Sequence, residues 1–125
     1  MVVVADSPTL SLSHTHSIAL QQKYASVINQ LGGWKWFQDL LGALHEIAEA
    51  KNTTIANVAS KWVLDRPQVV GILVGARNSS HVAEHKEVSK VTLDQADLAK
   101  INAVLSQGVP PKGDCYDWER GAGPF

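Results

Sequence analysis

Val69-Val70-Gly71-Ile72-Leu73-Val74 runs directly into Gly75-Ala76-Arg77-Asn78. The first six residues are continuously apolar, rich in β-branched side chains, and bounded by Pro67 on one side and Gly75 on the other. Such a run has no polar face to turn toward water, so it reads as a strand buried on both faces, as in parallel sheets under helices. A strand of that kind needs neighbours to satisfy its backbone, and no second run of comparable strength occurs in the chain. The sheet it belongs to is therefore expected to be incomplete within this sequence.

Working outward, the flanks read as helices. Thr53 or Thr54 can cap a helix whose inward stripe is Ile55, Val58, Ala59, Trp62 and Val63, and Pro67 ends it near Asp65. Before it, Trp34 to Lys51 sets Trp34, Phe37, Leu40, Leu41, Leu44, Ile47 and Ala48 at offsets of three and four, the strongest helical pattern in the chain. Trp34, Phe37 and Trp62 read as core packing, and Trp36, off the stripe, is expected to be exposed. From Ser17, the residues Ile18, Tyr24, Val27, Ile28 and Leu31 predict a further helix, stopped by Gly32-Gly33. Beyond the strand, Asn78-Ser79-Ser80 leads into a helix through about Ser89. Thr92-Leu93-Asp94-Gln95 is a capping-box pattern opening a last helix with Leu98, Ile101, Val104 and Leu105 inward. Residues 1–16 read as a disordered leader, and Gly108 to Phe125, with its prolines and glycines, as a tail without regular structure.

A chain of 125 residues accommodates one domain with a hydrophobic core and is short for two. Lys and Arg number 11 against 12 for Asp and Glu, so there is no general positive field to gather nucleic acid, and any anion site must be local. Cys115 is the single cysteine, which excludes an internal disulfide and fits a reducing compartment. The apolar start Val2-Val3-Val4 lacks a basic flank and is interrupted by Asp6, and no apolar run approaches a membrane span. The expected protein is soluble and cytoplasmic, with no membrane partner.

The order of elements resembles the last third of the aldo-keto reductases. The similarity runs from about Ser17 to Arg120. It is carried most specifically by Gly32-Gly33-Trp34-Lys35-Trp36-Phe37-Gln38, Leu44-His45-Glu46-Ile47-Ala48, Ile72-Leu73-Val74-Gly75-Ala76-Arg77-Asn78 and Gly113-Asp114-Cys115-Tyr116-Asp117. The first and last are similar to the plant and cyanobacterial-type branch. The resemblance implies an α/β fold, a partial (β/α)8 TIM barrel with C-terminal βα units only over 17–125, mostly helical with one strand. A complete barrel takes about 250 residues. The catalytic Asp, Tyr, Lys and His of the family belong to motifs that no segment here matches, so no catalytic residue is assigned and the chain alone is expected to be inactive.

Where the strand gives way to a helix, backbone amides and the helix dipole favour an anion, and Arg77 adds a planar, permanently charged fork suited to the 2′-phosphate that distinguishes NADP from NAD. The bland alternative is a turn in which Gly75 serves backbone shape and Arg77 is solvated. The resemblance implies a cofactor site at Gly75, Ala76, Arg77 and Asn78, extended along the helix by His81, Glu84 and His85 toward adenine and ribose. His85 stands where the family usually has Asn. The expected ligand is NADP, held weakly or vestigially by this chain alone. His81 and His85, four apart, also fit a metal pair, but no third ligand is placed. Other readings are a small helix-turn-helix-like interaction module over Thr53 to Pro67, a barrel-completing partner of another chain, and self-association through the incomplete sheet.

Overall fold

The computed structural model describes residues 24–75 and 79–110, the side chains of 79–81 apart. Helical residues 24–31 (α1) lead through Gly32 into α2 (Gly33–Ala50), followed by α3 (Ile55–Leu64), α4 (Ser79–Lys86), a 3-10 turn (Glu87–Lys90) and α5 (Gln95–Leu105). The leader assigned to 1–16 and the tail beyond residue 110 lie outside the described residues.

The core forms where α2 packs against both α3 and α5. Leu44, Ile47 and Ala48, spaced to share one face of α2, meet Val58 of α3 and Ile101 of α5, with Leu40, Ile55, Trp62 and Leu105 packed around them. Full burial of an aliphatic side chain of this size stabilises the fold by about 1.5–3 kcal/mol, so these few residues dominate the packing energy.

Local chemistry fixes the helix boundaries. At the end of α2 the N–H of Asn52 donates to the Glu49 carbonyl at 3.2 Å and that of Thr53 to Ala48 at 2.9 Å. This Schellman pattern requires a left-handed residue, and Asn52 supplies it with φ 50°. The Thr54 hydroxyl then accepts the Asn57 N–H at 3.2 Å and caps α3, which stops at Leu64 before Pro67 as expected. The capping box of α5 is displaced from its expected Thr92–Gln95 frame. The Asp94 carboxylate accepts the amides of Ala96 and Asp97 at 2.9 and 3.0 Å, and Asp97 accepts the Asp94 N–H at 3.0 Å. Ion pairs brace α5 to the end of α2: Lys51 with Asp97 at 2.8 Å and with Asp94 at 3.6 Å, and Lys100 with Glu46 at 2.7 Å.

The aromatic assignments need two corrections. Trp34 is 54% exposed and touches Phe37 at 5.8 Å between ring centroids, whereas Trp36 is half-buried and its indole N–H donates to the Val104 carbonyl at 3.0 Å. The first turn of α2 faces the end of α5 rather than the core, so the stripe set by the later turns does not extend to Trp34. Gly32 lies beneath Trp36, where a Cβ would come within 2.6 Å of the ring, and Gly33 has φ +80°, a conformation favouring glycine. Close by, the Val109 N–H donates to the Leu31 carbonyl at 2.6 Å.

The α/β expectation, a partial (β/α)8 barrel, is overturned: the described residues are helical and irregular, with no strand among them. Residues 69–75 leave α3 through a turn in which the Val69 N–H bonds to the Arg66 carbonyl at 3.1 Å and Gln68 takes φ 71°. They then run without a partner ladder. Val70 and Leu73 are fully exposed, at 101% and 106%, where burial on both faces was expected. The physical reason is that a strand exists only through its pairing. β-Propensity cannot create a sheet where no second strand is described.

Candidate functional site

The candidate anion turn begins at Gly75, which is exposed; Ala76, Arg77 and Asn78 lie outside the described residues. The chain then enters α4 at Ser79. Its first turn holds no acidic residue and its last turn holds His85 and Lys86, a charge order matched to the helix dipole. His81 is placed on α4 by its backbone, its side chain lying outside the described residues, and Glu84 and His85 are adjacent and half-buried. The structure places Glu84 and His85 at successive positions of α4 and leaves their relation to Arg77 undescribed.

What holds α4 is a residue that the sequence pattern did not single out. Asn57, on α3, is 2% exposed, and its Nδ2 donates to the Thr53 hydroxyl at 3.2 Å and to the backbone carbonyl of Glu84 at 3.3 Å. No residue from Val82 to Lys86 is buried, so α4 has little apolar anchorage of its own. Its continuation supplies that anchorage: Val88 in the 3-10 turn and Val91 after it are both buried, the turn packs against α3, and the Ser89 hydroxyl donates to the Lys86 carbonyl at 3.0 Å. The available signal was an asparagine in the first turn of a capped helix, following threonines three and four positions earlier.

An open cleft of about 560 Å³ lies between the α2–α3 turn and this segment, lined by Lys51, Asn52, Thr53, Thr54, Asn57, Glu84, Glu87, Lys90, Val91 and Thr92. Its lysines are engaged, Lys51 with Asp97 and Lys90 with Glu87 at 2.8 Å, so the cleft offers balanced charge rather than an anion field. Glu84 is its one member from the candidate set. Lys51 has its pKa raised, chiefly by its hydrogen bond to Asp97. Among the described residues no group of three His, Cys, Asp or Glu side chains is placed to hold a metal ion.

The basic residues of 52–67 turn inward on their own helix. Lys61 pairs with Asp65 at 2.7 Å, and the Arg66 guanidinium lies 4.3 Å from the centre of the Trp62 ring while its Nε donates to the Trp62 carbonyl at 3.1 Å. That arrangement spends both cations on local contacts and gives no support to a helix-turn-helix reading over nucleic acid.

The sequence model of the aldo/keto reductase family matches residues 6–106, spanning all the helices described above. The chain belongs to the aldo/keto reductase family. This aldo/keto reductase chain is thereby tied to an oxidoreductase family that generally uses NAD(P)H. No curated protein matches it. Among its described residues, no helix is long and apolar enough to cross a membrane.

Proposed function

We propose that this chain carries the adenosine-phosphate end of an NADP site, formed by Gly75, Ala76, Arg77 and Asn78 and continued by His81, Glu84 and His85. The observation that carries the reading is the start of α4 two residues after Arg77, with no acidic side chain in its first turn to repel a phosphate. Amides at such a helix start share the charge of an anion, and a guanidinium beside them offers two parallel N–H donors. Glu84 accepts from an amine, which suits the exocyclic group of adenine, and His81 and His85 offer ring faces and N–H donors. Bound NADPH supplies the hydride; the role of these residues is to grip and orient its far end. The chain carries no matched Asp, Tyr, Lys and His catalytic set, so binding without turnover is the activity proposed for it alone. Gly32 to Gln38 and Gly113 to Asp117 support the plant and cyanobacterial-type branch, and Cys115, the single cysteine, fits a reducing, cytoplasmic setting.

The test compares NADPH with NADH by calorimetric or NMR titration. A charge-assisted contact to the 2′-phosphate is worth about 1.5–3 kcal/mol, so NADPH binds at least about tenfold more tightly, and Arg77→Ala abolishes the preference while leaving NADH nearly unchanged. Equal affinities in the unmutated chain, or a preference that survives Arg77→Ala, refute the assignment.

A second reading, association with another copy of the chain, is favoured by one observation: Val70 and Leu73 present fully exposed apolar side chains on a segment with no backbone ladder.

A further inference from the structure

We propose that Asn57 is a positioning residue for α4, setting where Glu84 and His85 stand relative to the α2–α3–α5 core; its bearing on cofactor affinity rests on the dinucleotide reading above. Three observations converge on it. The side chain is almost wholly buried although it is polar, so its hydrogen bonds are made without competition from water. Its single amide nitrogen spends one N–H on Thr53, in the turn closing α2, and the other on the Glu84 carbonyl, in the middle of α4. Finally, between Val82 and Lys86 the apolar side chains of α4 are exposed and Glu84 and His85 are half-buried, so apolar packing gives little hold on its rotation about its own axis.

A backbone carbonyl points along the helix axis, and a donor fixed to it therefore sets the height of the helix as well as its distance. The buried Val88 anchors the chain one turn beyond Glu84, and two attachments separated in this way determine both tilt and rotation. A hydrophobic residue at position 57 would fill the space equally well and provide no such reference. Asn57 thus links the first turn of α3, itself capped by Thr54, to the helix that carries the proposed adenosine contacts.

The experiment uses the full chain with Asn57→Ala and Asn57→Gln, and follows residue-resolved amide exchange by NMR alongside NADPH titration. Asn57→Ala is expected to raise the exchange rates of amides 82–86 at least tenfold more than those of α2 and α5, and to weaken NADPH at least fivefold. Asn57→Gln retains the primary amide and is expected to restore much of both effects. A uniform rise across all helices would mark Asn57 as merely structural and overturn the proposal, as would unchanged exchange in 82–86. If Asn57→Ala fails to fold, Asn57→Asp replaces it: the carboxylate is isosteric, keeps a contact to Thr53 by accepting from the hydroxyl to which Asn57 donates, and lacks the N–H that reaches Glu84. Failure of the unmutated chain to bind NADPH refutes the cofactor reading, and the exchange comparison then decides the positioning role by itself.

Discussion

The indole N–H of Trp36 donates to the carbonyl of Val104 across 68 residues of sequence, joining the start of α2 to the end of α5. Trp34, two positions earlier, is more than half exposed and makes a tilted contact with Phe37. Two tryptophans of one helix, two positions apart, therefore differ in what they contribute.

Removing the donor with Trp36→Phe takes one partner from the Val104 carbonyl, which keeps the Gln107 N–H at 3.1 Å, and is expected to cost about 0.5–1.5 kcal/mol. Trp34→Phe, at an exposed site, is expected to stay within about 0.5 kcal/mol of the unmutated chain. Urea unfolding followed by circular dichroism measures both; equal losses would show that the Trp36 bond contributes nothing specific.

Stability should fall in acid with a sign set by the α5 cap. The Asp94 carboxyl is held below its ordinary pKa, first by the hydrogen bond from the Asp97 backbone N–H, with attraction to Lys51 and the Ala96 N–H adding to it. Glu46 is lowered in the same direction by its bond from Lys100. A depressed folded pKa means that the unfolded chain binds protons first, so the contribution is present above the unfolded carboxylate pKa of about 4 and is lost as pH falls through the folded value. Asp94→Asn keeps a good capping residue and should shallow the acid slope while costing little at neutral pH. A thermal midpoint that changes with pH identically in both chains would contradict this account.

The exposed segment 69–75 makes a different prediction. Self-association that depends on concentration should appear in sedimentation velocity, and Leu73→Lys or Val70→Lys should reduce it, because each puts a charge where a fully exposed apolar side chain now stands. Monomeric behaviour of the unmutated chain at all accessible concentrations would remove the second reading.

Turnover is the simplest check on the proposed division of labour. Aldehyde reduction with NADPH by the purified chain should not exceed background. A rate proportional to protein concentration in homogeneous fractions would mean that residues within this sequence supply the proton donor.

What was legible in the sequence follows the range of the forces involved. The boundaries of α3 could be read because Thr54 and Pro67 act within one turn of the residues they limit. The core face of α2 could be read because Leu44, Ile47 and Ala48 repeat at helical spacing. Trp36 could not be placed, since its partner lies on α5 and the period of α2 alone says nothing of it. The fate of Val69 to Val74 was misread for a related reason: its composition expresses a preference for pairing, and pairing depends on strands elsewhere. Within the candidate site, Gly75 to Asn78 was visible as a contiguous motif, with its geometry outside the described residues. Asn57 was not visible, because its bond to Glu84 spans 27 residues and ends on a backbone carbonyl, which leaves no trace in side-chain pattern.

The bond between the Val109 N–H and the Leu31 carbonyl has a kinetic consequence. It closes a loop that contains all of α2 through α5, so its two ends must find one another across most of the described chain. Contacts between α2 and α3 join near neighbours and can form as soon as the intervening turn does, whereas this closure carries the larger entropic cost. The α2–α3 pair is thus expected to form first, and the corner to close later, together with the long-range packing of α5 on α2. Gly108 keeps that later step open: a Cβ there would approach the same Leu31 carbonyl to 2.8 Å, so a bulkier residue would obstruct the closure while leaving the earlier helix pairing to proceed.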